Sequence, residues 1–135
     1  MRFTTAMLAD SAQVQNGKLY VLGGGFNVIR AKTLPTVHAQ LFLALVAEVE
    51  PEERQRDLDF IIKLMDEDGH EAGVEARGKL RVGLPTNLPP GEMSVVPLVT
   101  PFHNISFEKA KGYSFVVSMD DRELTRIRFR VTVDS

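Results

Sequence analysis

A period of two in the placement of apolar residues constrains this chain more than any other feature. From Glu71 to Val82, the residues Ala72, Val74, Ala76, Gly78, Leu80 and Val82 fall on one side, and Glu71, Gly73, Glu75, Arg77, Lys79 and Arg81 on the other. Successive side chains of a β-strand point to opposite faces, so the segment reads as a strand with one buried side. A helix would scatter the same residues around its axis. The C-terminal segment repeats the pattern: Thr125, Ile127, Phe129, Val131 and Val133 alternate with Arg126, Arg128, Arg130 and Thr132. Just before it, Tyr113, Phe115, Val117 and Met119 alternate with Ser114, Val116 and Ser118, and Asp120-Asp121-Arg122-Glu123 between the runs predicts a hairpin turn.

A second hairpin is expected where Leu58, Phe60, Ile62 and Leu64 alternate with Asp57, Asp59, Ile61 and Lys63, followed by Glu67-Asp68-Gly69-His70. Asp-Gly is the favoured centre of a type I′ turn, in which both positions take positive φ. Ala39 to Glu48 is apolar on both faces, which fits a central strand covered on both sides. A buried helix competes for this segment, because Ala and Leu are good helix formers. Phe3 to Leu8 and Lys18 to Leu22 read as strands, with a turn at Asn16-Gly17. Gly23-Gly24-Gly25 marks a bulge or sharp bend before extended structure resumes over Phe26 to Ala31. Ser94 to Phe102 is extended, and Pro97 and Pro101 place it at a sheet edge. Pro85, Pro89, Pro90 and Gly91 make a loop, and a turn or two of helix is expected at Pro51 to Arg56.

Eight or nine strands separated by turn signals predict an all-β chain. The expected architecture is a two-sheet antiparallel β-sandwich, immunoglobulin-like or C2-like, in a single domain over residues 1–135. A flattened barrel gives the same alternation. A chain of this length can bury one sufficient hydrophobic core. Cysteine is absent, which excludes a disulfide scaffold, cysteine zinc sites, iron–sulfur clusters and thiol catalysis. Thr4, Thr5 and Asp10 interrupt what would otherwise be the apolar stretch of a signal peptide, and the apolar run Leu41 to Ala47 is too short to span a bilayer. A cytoplasmic location without membrane association is therefore expected. The formal net charge of −2 gives no general pull toward nucleic acid, and no nucleic-acid partner is expected.

Each conspicuous group of residues has a plainer reading beside the functional one. Gly23, Gly24 and Gly25 could line a phosphate, but the strand-like Phe26 to Arg30 follows where a helix N-terminus would be needed. Asp66, Asp68, Asp120 and Asp121 could gather calcium if their turns shared one end of the sandwich, although turn formation alone accounts for them. His38, His70 and His103 lie far apart in sequence without zinc-ligand spacing. Arg77, Lys79, Arg81 and Arg126, Arg128, Arg130 form two basic stripes. On neighbouring strands they would make one positive patch for phosphate or an acidic partner; alternatively they are solvated and paired with Asp57, Asp59, Glu71 and Glu75. No cofactor or metal site and no local catalytic signature is expected.

Thr4-Thr5-Ala6-Met7-Leu8-Ala9-Asp10, followed by Gly17 to Phe26, the Leu41 to Glu50 strand with Pro51 and Glu52, Asp66 to Gly69 and Gly112-Tyr113-Ser114-Phe115, resembles a family of uncharacterised proteins. They are mainly actinobacterial, of about this length, and grouped as a domain of unknown function. The resemblance implies a shared small β-sandwich and no chemistry. Three uses follow as expectations. The first is a non-catalytic interaction or structural module that self-associates, a dimer first, because a strand-rich chain must protect its edges. The second is a small-ligand or carbohydrate-binding module using the loops at 23–27 and 85–91. The third is an enzyme whose site is assembled from distant strands.

Overall fold

The computed structural model describes residues 1–85 and 87–134. Nine strands follow one another: β1 (Arg2–Gln15), β2 (Lys18–Phe26), β3 (Val28–Ala31), β4 (Thr36–Val49), β5 (Leu58–Asp66), β6 (Glu71–Leu80), β7 (Ser94–Phe107), β8 (Gly112–Met119) and β9 (Arg122–Val133). The expected helical segment shrinks to one 3₁₀ turn at Pro51–Glu53, with Pro51 at its start and the Glu53 side chain accepting from the Glu50 amide. Two sheets result. One has four strands in the order β2-β1-β4-β7, the other five in the order β3-β9-β8-β5-β6. Pairing is antiparallel except between β3 and β9, which run parallel.

The Ala39–Glu48 segment is strand throughout, not helix. Its propensity loses to tertiary pairing, since β4 is laddered to β1 on one side and to β7 on the other. It is central in its sheet, as expected, but only one of its faces meets a second layer. Leu41, Leu43 and Leu45 enter the core; Phe42, Ala44 and Val46 face away from it. The edge position read from Pro97 and Pro101 holds, because β7 ends the sheet order.

Between the sheets, Leu8, Leu41, Leu43, Leu45, Phe102, Ile105 and Phe107 pack against Phe60, Ile62, Leu64, Tyr113, Phe115, Val117, Ile127, Phe129 and Val131. Aromatic rings run through the middle: Phe102 lies 5.0 Å from Phe115, and Phe115 lies 5.6 Å from Phe129. Phe107 meets Tyr113 edge-on at 5.0 Å. Such pairs contribute roughly 0.5–1.5 kcal/mol each beyond the area they bury.

The turns redistribute the expected chemistry. Asn16-Gly17 and Asp120-Asp121 each put both central residues at positive φ between paired ends, Gln15 with Lys18 and Met119 with Arg122, which is the type I′ pattern. The Asp68-Gly69 turn is a correction. Only Gly69 is at positive φ; the Gly69 amide donates to the Asp66 carbonyl at 3.1 Å, and the Asp66 amide donates to His70 at 2.8 Å. That is a three-residue loop, a type I turn closed by a left-handed glycine, so the dipeptide marks the right place and the wrong turn type.

Candidate functional site

The two sheets present opposite kinds of outer surface. On the four-stranded sheet the register places Thr5, Met7 and Ala9 of β1 beside Val46, Ala44 and Phe42 of β4, and these beside Pro97, Val99 and Pro101 of β7. All alternate with core residues, so all face outward. None is charged. The charges on this face lie beyond that stretch: Arg2 binds Glu48 at 2.9 Å at one end, and Lys18 stands opposite Gln15 at the other. Ala9 and Ala44 are shielded by their larger neighbours, Met7, Phe42, Val46, Pro97 and Val99 are half-buried, and Val95 at the rim is 65% exposed.

The five-stranded sheet turns a polar and charged surface outward. Arg126, Arg128 and Arg130 of β9 stand there with Ser114 and Val116 of β8, Lys63 of β5, and Glu75, Arg77 and Lys79 of β6. The two basic stripes share this face but are not neighbours, contrary to the joined patch considered from sequence. β8 and β5 lie between β9 and β6, a separation of roughly 14 Å at the usual strand spacing. The β6 stripe is neutralised: Arg77 pairs with Glu75, Lys79 lies 4.0 Å from Asp59, and Arg81 binds Asp57 at 3.3 Å.

The β9 stripe borders a cleft of about 590 Å³, lined by Asn27 and Val28, by Asp66, Glu67 and Gly69, by Gly112 to Ser114, and by all three β9 arginines. Arg126 binds Glu123 at 2.8 Å and holds its carboxyl below the ordinary glutamate range. Arg130 reaches Glu67 at 3.3 Å, across Gly112, where a Cβ would lie 3.2 Å from the Glu67 carboxylate. Among the described residues Arg128 takes part in no ion pair. The Pro85–Gly91 loop does not contribute to this cleft, and its Thr86 lies outside the described residues.

The triple glycine serves the ladder. Gly23 and Gly25 take positive φ inside β2, and a Cβ on Gly23 would lie 2.8 Å from the Asp10 carboxyl carbon. A Cβ on Gly24 would meet Val21 at 2.5 Å and Met7 at 3.0 Å. The β1–β2 register slips just there, between Leu8 and Ala9, so the bulge reading describes these residues.

The aspartate turns lie at opposite ends of the sheet: Asp66 pairs with Tyr113 at the start of β8, and Asp120 follows its end. Among the described residues, one group could ligate a metal, Asp66 with Asp68 and His70. Its electrostatic need is already met. The Asp66 carboxylate accepts the Asp68 and His70 amides, both at 2.9 Å, and the Lys111 ammonium at 2.9 Å. The Lys111 ammonium also lies 3.9 Å from Asp68, which puts a fixed cation where a metal would sit. The Lys111 hydrogen bond, reinforced by the two amides, draws the Asp66 pKa from 3.8 to about 2. His38 stands opposite Ile105, and His103 opposite Gln40 with its ring edge-on to Phe42 at 6.3 Å. The histidines join no other group of three ligands among the described residues. No buried side-chain nitrogen or oxygen lacks a hydrogen-bond partner among them, and no helix is long and apolar enough to cross a membrane.

No match is found among curated proteins. A family model matches residues 4–132, and the chain belongs to that family, described as Family of unknown function (DUF6941).

Proposed function

We propose that the chain is a non-catalytic interaction module that self-associates by stacking the outer face of its four-stranded sheet on the same face of a second copy. The supporting observation is the uncharged surface from Thr5 to Pro101 across β1, β4 and β7. The outer face of an antiparallel sheet normally alternates to polar residues when it meets water. Here β1, β4 and β7 carry no charge over this stretch, whereas the outer face of the other sheet sets Lys63, Arg77, Arg126 and Arg128 among its few apolar residues, which points to a covering layer for the first. A second copy supplies it at no cost in specificity, because a two-fold axis lets one apolar patch meet itself. Sheets stacked this way pack about 10 Å apart.

Sedimentation velocity tests the proposal with two charge insertions. Val99→Lys places an ammonium at the middle of the face, beside Ala44. Burying it unpaired costs about 3 kcal/mol or more, which is over a hundredfold in dissociation constant. Val116→Glu changes the outer face of the other sheet, between Lys63 and Arg126, and is expected to leave the dimer intact. A monomeric wild type, or a dimer lost only with Val116→Glu, would sink the reading. The second outcome would favour pairing through the five-stranded sheet instead.

A further inference from the structure

We infer that the cleft beside β9 is a binding site for a small organic molecule carrying one singly charged oxyanion, a carboxylate or a phosphodiester, seated on Arg128. This goes beyond self-association and concerns the opposite surface of the molecule.

Charge accounting leads to the ligand class. Three arginines line the cleft, and Lys111 stands beside it, bonded to Asp66 of the lining. Arg126 is matched by Glu123, Arg130 by Glu67 and Lys111 by Asp66. Arg128 stands between Arg126 and Arg130 on the same face, spaced roughly 7 Å from each along the strand, and is matched by nothing among the described residues. Arg128 is therefore the one arginine of the lining without an ion-pair partner among the described residues, and a single oxyanion is its complement. Its neighbours are held in place: Arg126 is anchored to Glu123 three residues earlier in β9, and Arg130 to Glu67 of the β5–β6 turn. Glu67 in its turn and Glu123 near the start of β9 thus fix the two ends and leave the centre open.

The chemistry around that centre suits an oxyanion. A guanidinium presents its donors as a planar fork that matches a carboxylate or phosphate edge. Ser114 sits directly opposite Arg128 in the β8–β9 ladder and is 8% exposed, with its hydroxyl on the cleft side. Asn27 stands at the far wall; its carbonyl accepts the Arg130 amide at 2.9 Å, which ties that wall to β9. Val28 adds an aliphatic side chain to the lining, against which an apolar body can rest. The volume of about 590 Å³ falls within the usual range of small-molecule sites, roughly 300–1,000 Å³.

The test is a titration followed by ¹H–¹⁵N correlation spectra that include the arginine Nε–Hε resonances. The probes are benzoate, dimethyl phosphate and the neutral benzamide. Saturable shifts at Arg128 Nε–Hε and the Ser114 amide with either anion, and none with benzamide, are the expected result; which anion binds more tightly identifies the oxyanion. Arg128→Gln should weaken the binding at least tenfold, whereas Arg77→Gln, on the neutralised β6 stripe, should leave it unchanged. Shifts that never saturate, equal shifts with benzamide, or full binding by Arg128→Gln would overturn the inference. The readout lies on the five-stranded sheet, so it does not depend on whether the chain dimerises through the other one.

Discussion

Gly78→Ala examines the internal register at one point. Gly78 lies directly opposite Phe60 in the β5–β6 ladder, and Phe60 is a core residue, 6% exposed. The ring lies over the glycine. A Cβ built there would stand 2.5 Å from one Cε of Phe60 and 2.8 Å from the other, where carbon atoms prefer about 3.5–4.0 Å. The ring must shift by about 1 Å into a packed interior, and overpacking of this kind costs about 1–3 kcal/mol. Replacing glycine within a strand returns roughly 0.5–1 kcal/mol of backbone entropy. The net expectation is a loss of about 1–2 kcal/mol. In a chain of this size that lowers Tm by roughly 3–10 °C. Urea and thermal unfolding followed by circular dichroism would measure it, with the denaturant slope unchanged if only stability has moved. Phe60→Leu removes the clashing ring atoms, so the double substitution should be less destabilising than the sum of the singles by at least about 0.5 kcal/mol. Full stability in Gly78→Ala, or strict additivity, would refute the Phe60–Gly78 pairing.

Two further perturbations act at the turns. The Asp66 carboxyl is drawn from 3.8 to about 2 on folding. A group with a depressed folded pKa stabilises the fold above its unfolded value and loses that contribution as pH falls through its folded value. The unfolding midpoint of wild type should therefore drop more steeply between pH 4 and 2 than that of Asp66→Asn; parallel curves would contradict the Lys111 bond as its cause. Asp121 sits at φ 61° in a type I′ turn, a conformation that favours glycine. Asp121→Gly should raise stability by about 0.5–1 kcal/mol, visible as a higher Tm, and a lowered Tm would mean that its side chain holds the turn.

The strands were legible because a half-buried sheet writes its period of two into the sequence. All of β5, β6, β8 and β9 could be placed from alternation alone, with both of their hairpins. Two features of the site were not legible. The first is lateral order: β6 and β9 show the same basic alternation, and nothing local reveals that β8 and β5 separate them. Pairing partners distant in sequence decide which charges meet, so Arg128 could not be told from Arg77, although one is unmatched and the other bound to Glu75. The second is the apolar outer face. The doubly apolar β4 was read as a strand covered on both sides, and that signal was correct about the residues. Only the structure reveals that no element of the described chain lies over Phe42, Ala44 and Val46. The length of β1 and β2 was also underestimated, because β2 continues through Gly23 to Gly25, which were read as a break.

The most direct test of self-association through the four-stranded sheet is an isotope-filtered nuclear Overhauser experiment on a mixture of labelled and unlabelled chains. Only contacts between different copies give signals. Cross-peaks joining the Val46 and Val99 methyls, the Met7 methyl and the Phe42 ring across the two copies are the expected result. The absence of intermolecular signals, or their confinement to Ile61 and Val116 on the outer face of the five-stranded sheet, would contradict it.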